Sequence, residues 1–343
     1  MTRQLAFIGF EECFAAVSAA ATVEVLDRAA EVSMAISSRP KSVLPSAQFS
    51  TMAGESLMFG HMGFIPGLGM CVKTGMQVPG NSMRGIDTVQ AQVLLFDSDT
   101  GVPLALIDGR AITIMRTAGA LVSGVREVLA LRGAPETPPR VAVIGYGAEG
   151  RHIARLAREV LGAERIRAFN RSRKSAEEGV VMADSIIEAV EDADVIACAT
   201  SSAEPVLSLD EVRAGQRVSA RDDIVIASLN SHQPDKCELD PRIVAVSSSV
   251  HLDINDPQKF GPIAQLTTEH KRTQKNQFET STTVRMLGQS VTRELSVPSQ
   301  DRALRTVLIG GHGLQDSLMA WSVLRSWESV EEVTRQFTDV KRR

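Results

Sequence analysis

The sequence predicts an α/β protein of two domains, one built on a parallel sheet and the other a mixed α/β layer. Three observations carry this. A short apolar run, Val141–Ile144, leads straight into Gly145, Gly147 and Gly150 at G-x-G-x-x-G spacing, and apolar residues from Ile153 to Leu161 then recur at helical spacing. Upstream, the apolar runs 89–96 and 102–107 flank the turn 97–101 (DSDTG), the pattern of an antiparallel hairpin. Between the two regions lies 133–140 (GAPETPPR), with three prolines in eight residues, which reads as the linker.

The glycine turn has a physical reading position by position. Gly145 permits a tight turn, Gly147 lets a pyrophosphate approach the backbone, and Gly150 lets helix and strand pack closely. Tyr146, Ala148 and Glu149 complete the turn, and the helix that follows offers unpaired N–H groups to an anion. Glu149 is tolerable there only if its charge points away. A second strand, 165–169, ends at Asn170, Arg171, Ser172 and Arg173. An NAD enzyme carries an Asp or Glu there for the ribose 2′-OH. An amide, a hydroxyl and cations suit a 2′-phosphate instead, so NADP(H) is favoured over NAD(H). The third strand, 194–199, ends in Thr200, Ser201 and Ser202, hydroxyl residues placed to meet the cofactor at the carboxyl edge of a Rossmann sheet.

The whole chain sets the limits on partners. Its 343 residues suffice for two cores, and 43% apolar with 23% charged residues is ordinary for a soluble globular protein. A net charge of −4 gives no reason to expect nucleic acid or an anionic membrane. No apolar run approaches a bilayer span, and acids interrupt the first fourteen residues, so a cytoplasmic protein is expected. Four cysteines without C-x-x-C spacing read as reduced packing residues, and six scattered histidines give no support to a metal site.

In chain order, residues 9–36 read as one amphipathic helix, followed by a Pro-broken stretch carrying Arg39 and Lys41. Residues 52–80 are rich in glycine and methionine and suggest short strands, one of them 69–73 with Lys73 at its end. Asp108-Gly109 turns the chain, and a helix is expected from Ile112, capped by Thr113, with Arg116 near its N-terminus. Beyond the second strand, helices are expected over 174–182 and 185–190, strands over 224–229 and 243–246, and a helix somewhere in 259–294. From residue 302 the pattern is a strand, a glycine turn and a helix beginning near Leu314.

Several stretches, taken together, resemble the ornithine cyclodeaminase and mu-crystallin family. They are Lys73 with Pro79-Gly80-Asn81, the start Arg116-Thr117-Ala118, the glycine turn at 145–150, the segment 231–240 (SHQPDKCELD), and Gly313 with Asp316. The resemblance covers nearly the whole chain. It implies a homodimer assembled through a mixed α/β substrate-binding and dimerisation domain, residues 1–132 completed by 312–343, beside a Rossmann domain over 133–311. It implies that Lys73 and Arg116 face the nicotinamide and bind the substrate carboxylate, with Arg39 or Lys41 where the family often has a further arginine. His232 stands where the cyclodeaminases have an aspartate. An imidazole can still be a general acid or base, yet it offers no fixed negative charge to a second ammonium. Lys73, Arg116 and His232 are thus the expected catalytic residues. The expected function is an NAD(P)H-dependent oxidoreductase acting on the C–N bond of an imino or amino acid, of the imine reductase, ketimine reductase or amino acid dehydrogenase type. Two alternatives stand beside it: an ornithine or lysine cyclodeaminase that recycles NAD within the turnover, and a catalytically silent NADPH-binding regulatory protein.

Overall fold

The computed structural model describes residues 5–37, 46–65, 67–131, 137–172, 175–216, 223–229, 231, 233–273, 283–288 and 304–340. They divide into two compact units. One is formed by Met1–Ala29, Ser38–Arg116 and His312–Arg343, the other by Ala30–Ser37 and Thr117–Gly311. The division thus falls at Arg116, within a helix, and not at the proline-rich segment 133–140.

The first unit opens with β1 (Ala6–Ile8) and α1 (Phe10–Ala16), followed by α2 (Ala19–Ser37). A run of strands follows: β2 (Ser46–Ala53), β3 (Ser56–Ile65), β4 (Gly69–Gln77), β5 (Val89–Asp97) and β6 (Pro103–Asp108), leading to α3 (Gly109–Ala130). The sheet order is β1-β6-β5-β4-β3-β2, antiparallel from β2 to β6, with β1 added parallel to β6. Strand alternation sorts its faces. Cys71 and Lys73 of β4 and Val93 and Leu95 of β5 are buried, whereas Met58, Met62 and Met76 on the opposite face are partly exposed.

The second unit is a parallel sheet. In chain order come β7 (Val141–Ile144), α4 (Ala148–Leu161), β8 (Ile166–Phe169), β9 (Val180–Met182), α5 (Ile186–Val190), β10 (Val195–Cys198), α6 (Leu209–Gln216) and β11 (Ile224–Ser228). Then follow α7 (Pro241–Ala245), β12 (Ser249–Leu252), α8 (Gly261–Thr273), β13 (Thr283–Met286) and β14 (Leu304–Leu308). The order β13-β12-β14-β11-β10-β7-β8-β9 reverses direction between β7 and β10, the place where open α/β sheets bind ligands. Four strands are buried at every position, as expected when helices cover both faces. The last helix, α9 (Gly313–Val340), rejoins the first unit and packs on β3 and β4. Gly63 permits the approach, since a Cβ there would stand 2.6 Å from Ser317 Oγ.

Several local expectations are corrected. The helix expected over 9–36 is two: Val17 turns extended (φ −123°, ψ 121°), and Ser18 Oγ accepts the Ala21 N–H to start a new helix. Helix α3 begins at Gly109, capped by Asp108, whose Oδ1 accepts the N–H groups of Arg110 and Ala111; the Thr113 hydroxyl instead donates inside the helix to Gly109 O. Arg116 therefore lies about two turns in. Of the helix expected over 174–182, residues 175–179 are non-helical and 180–182 form β9, in line with β-branched Val180 and Val181 after Gly179 at φ 80°. The run expected as a strand over 243–246 belongs to α7, set by Pro241 in the first turn and by Asp240 accepting the Arg242 N–H. The strand lies a few residues on, as β12. Lys73 stands mid-strand in β4, not at its end.

Candidate active site

In the first unit, strand register does the placing. His61 of β3 is directly opposite Lys73 of β4, so both side chains leave the same face. Helix α9 brings Asp316 between them. Its Oδ2 accepts from His61 Nδ1 at 2.6 Å, and its Oδ1 accepts from Lys73 Nζ at 2.9 Å. Arg116 of α3 sets its Nε 3.2 Å from the same Oδ1. That contact is one of charge, because the Arg116 Nε has no aligned hydrogen-bond acceptor. The Phe59 ring lies 5.7 Å from the Lys73 ammonium.

Burial makes the charges consequential. Lys73 is 1% exposed and Asp316 is fully buried. Desolvation pushes the Lys73 ammonium below its ordinary pKa; Asp316 opposes this, and Arg116 adds to it. For Asp316, burial would raise the carboxyl, but Lys73, Arg116 and the His61 hydrogen bond outweigh it and hold the group ionised, far below the carboxylate range. Two cations then face one anion. The surplus positive charge and the Arg116 Nε that lacks an aligned acceptor suit an anionic group such as a carboxylate.

The second unit carries the glycine turn, and each glycine meets a different surrounding. Gly145 has φ 96°, and a Cβ there would stand 2.5 Å from Ala199 O. A Cβ on Gly150 would collide with the Gly145 carbonyl. Gly147 has nothing within 4 Å of its Cβ position, and as N-cap of α4 it offers no side chain to the first N–H groups of the helix. Two glycines are thus required by the protein's own packing, and the third leaves open backbone beside a helix N-terminus. These residues fit a dinucleotide pyrophosphate. Ala148 is exposed, and Glu149 is half-buried in the first turn of α4. The Tyr146 ring is buried, with its hydroxyl accepting from Glu177 N and the Arg151 guanidinium 4.9 Å from its centre.

Asn170 braces this turn. Its Oδ1 accepts the Tyr146 N–H at 2.9 Å, while its Nδ2 donates to Ser172 O and Oγ. Arg171 and Ser172 stand exposed beside it. Thr200 is committed elsewhere: its N–H and hydroxyl both donate to Glu238 Oε1, at 2.5 and 2.6 Å. The other oxygen of Glu238 accepts from Ser228 Oγ at 2.8 Å. Ser201 is exposed, and Ser202 Oγ donates to Glu204 O.

Of the residues expected at the site, Lys73 and Arg116 come together. Arg39, Lys41, Arg173 and His232 lie outside the described residues. His61 had no place in the sequence reading, Asp316 served only as a landmark of the closing helix, and Glu238 only as part of a motif. The signal for His61 is a count: in a hairpin whose strands pair Ile65 with Gly69, position 61 opposes 73.

Comparison with known proteins agrees with this architecture. The model of the "Ornithine cyclodeaminase/mu-crystallin family" matches residues 57–327. The chain is 31% identical over 172 residues to "Ketimine reductase mu-crystallin" of Mus musculus, covering 48% of this chain and 51% of that protein. It is 30% identical over 194 residues to "Delta(1)-pyrroline-2-carboxylate reductase" of Paracoccus denitrificans, covering 52% and 60%. The chain spans about half the length of the curated relatives it matches. The fold is shared with the Thermococcus litoralis Delta(1)-pyrroline-2-carboxylate reductase solved with NADH and L-proline, at TM-score 0.76, 20% identity and 95% and 98% of the two chains. It is also shared with the iminosuccinate reductase of Paracoccus denitrificans solved with NAD+, at TM-score 0.72, 22% identity and 96% and 98%. The chain belongs to the ornithine cyclodeaminase/mu-crystallin family.

Proposed function

We propose that this protein is an NAD(P)H-dependent oxidoreductase acting on the C–N bond of a small imino or amino acid, of the imine or ketimine reductase kind. The observation that carries the reading is the buried cluster in which Lys73 and Arg116 share the single carboxylate of Asp316. The names of its relatives, ketimine reductase and pyrroline-2-carboxylate reductase, support the same chemistry. Arg116 takes the substrate carboxylate with its guanidinium. Lys73, its proton loosened by burial, gives that proton to the substrate nitrogen and is left neutral. Asp316 keeps both cations in place and stays ionised while the proton moves. When bound, the nicotinamide supplies or accepts the hydride. The turn Gly145 to Gly150 would hold the pyrophosphate, and Asn170 to Arg173 the adenosine end. Arg171 and Ser172, with no carboxylate at Asn170, favour NADP(H). His232 is kept as a second candidate proton donor and Arg39 or Lys41 as a further carboxylate ligand, both from the sequence alone.

We also read the protein as a homodimer in the cytoplasm. The outward face of the six-stranded sheet supports the dimer: Phe49, Met58, Met62 and Met76 lie on it, each more than a third exposed. Four free, buried cysteines suit a reducing compartment. Among the described residues no helix is long and apolar enough to cross a membrane.

The test is absorbance at the reduced-nicotinamide band with NADPH or NADH and a panel of cyclic and open-chain imino acids, beside product analysis with L-ornithine and catalytic NAD. Net oxidation of NADPH in preference to NADH is expected. Proline and ammonia from ornithine with no net absorbance change would replace this reading with cyclodeamination, and cofactor binding without either reaction would point to the silent regulatory protein.

A further inference from the structure

Asp316 is one carboxylate serving three claimants, Lys73, Arg116 and His61. Around Lys73 stand His61 from β3, Asp316 from α9, Arg116 from α3 and Cys71 from its own strand. Arg116 is permanently charged. Asp316 is held ionised, and the Cys71 thiol is pushed up to about 12 by burial and by Asp316, so it stays neutral. Imidazole is the one side chain of the four types that ordinarily gains or loses a proton near neutral pH.

The two states of His61 treat the carboxylate differently. A neutral imidazole gives Asp316 Oδ2 one hydrogen bond and leaves the full negative charge to Lys73 and Arg116. An imidazolium turns the 2.6 Å contact into an ion pair, and three cations then share one anion. Lys73 is the member that can release a proton in response.

We propose that His61 is a positioning residue that sets the proton affinity of Lys73 through Asp316, making Lys73 the readier acid when the imidazole is charged and holding it as an ammonium when the imidazole is neutral. The proposal rests on the assignment of Lys73 as proton donor above, and it adds the residue that regulates it. The proton itself passes only from Lys73 Nζ to the substrate nitrogen. His61 keeps its hydrogen bond to Asp316 throughout.

The test separates this role from that assignment by observing Lys73 without turnover. Lysine carrying 13C at Cε would be followed by NMR as pH is varied, with the Lys73 signal identified by its loss in Lys73→Ala, beside the ring proton of His61. In the wild type the Lys73 shift should inflect where His61 titrates. In His61→Asn, which keeps a donor toward Asp316 but cannot titrate, that inflection should vanish. Single-turnover reduction should vary several-fold between about pH 5.5 and 8 in the wild type and lose that variation in His61→Asn. His61→Gln serves as a second variant should Asn perturb the fold. Lys73 titrations that superimpose in wild type and variant, or a wild-type Lys73 shift that ignores His61, would overturn the proposal. A linked titration in a protein that reduces no imine would uphold it and overturn the assignment of Lys73 as donor.

Discussion

Among the described residues two carboxylates are completely buried, and they keep different company. Asp316 is held by a lysine, an arginine and a histidine, whereas Glu238 accepts hydrogen bonds from the Thr200 amide, the Thr200 hydroxyl and the Ser228 hydroxyl among others. The first arrangement depends on the charge state of its partners, which is what the proposed roles in substrate binding and pH response require. The second ties the chain after β10 to the end of β11 through groups that do not titrate in the ordinary range, and it serves as a fixed strut. The two acids thus differ in what surrounds them, not in how deeply they are buried.

The contrast can be broken from either side. Lys73→Ala should have the largest effect, lowering turnover by roughly 100- to 10,000-fold while dinucleotide affinity stays unchanged. Near-normal turnover in that variant would remove the cluster's proposed role. Next comes Asp316→Asn, which strands two buried cations and should cost about 3–5 kcal/mol in denaturant unfolding.

The pH dependence sharpens the point. The folded pKa of Asp316 lies below its unfolded value, so its stabilisation is complete above about pH 4 and is lost as pH falls toward the folded pKa. Wild type should therefore lose its advantage over Asp316→Asn on acidification, and a constant difference from pH 7 to 3 would contradict the ion-pair account. Glu238→Gln should cost less, about 1–3 kcal/mol, because the groups bonded to it from Thr200 and Ser228 are neutral and one acceptor oxygen is kept. A loss larger than that of Asp316→Asn would reverse the comparison. Smallest is the exposed end of the scale: replacing Arg171 and Arg173 together by Ala should weaken NADPH about tenfold more than NADH, and equal losses would remove the 2′-phosphate assignment.

A buried base shows the same physics with the sign reversed at the side chain. His251, in β12, is held neutral, its pKa lowered to about 3 by desolvation and then by Arg285 and Arg305. The unfolded chain takes up this proton first, so the histidine contributes full stability above about pH 6.5 and loses it as pH falls toward 3. His251→Gln should flatten the fall of the thermal midpoint across that window, and an unchanged slope would mean that other groups govern it.

How much of this was legible depended on distance along the chain. The glycine turn needs one strand, one turn and one helix in sequence, and the demands on Gly145 and Gly150 arise within that short stretch or at the adjoining strand end. Lys73 and Arg116 were reached by resemblance, not by pattern. Asp316 lies 243 residues from Lys73 and 255 from His61, so no local rule joins them. The run from Ile243 to Val246 failed for a different reason: four apolar residues are too few to display a period, and the decisive signals were the cap and the proline before them.

The pairing of His61 with Lys73 makes the Asp316 cluster depend on the register of the hairpin between Ile65 and Gly69. Side chains alternate with a period of two, so shifting one strand by a single residue would carry Lys73 out to the methionine-lined face and leave Asp316 facing Val72 or Thr74. Parity is therefore inherited along with charge. Any graft, insertion or deletion in this turn that changes the pairing by an odd number of residues disarms the cluster without touching one of its members, and an even change can restore the facing while moving the cations along the sheet.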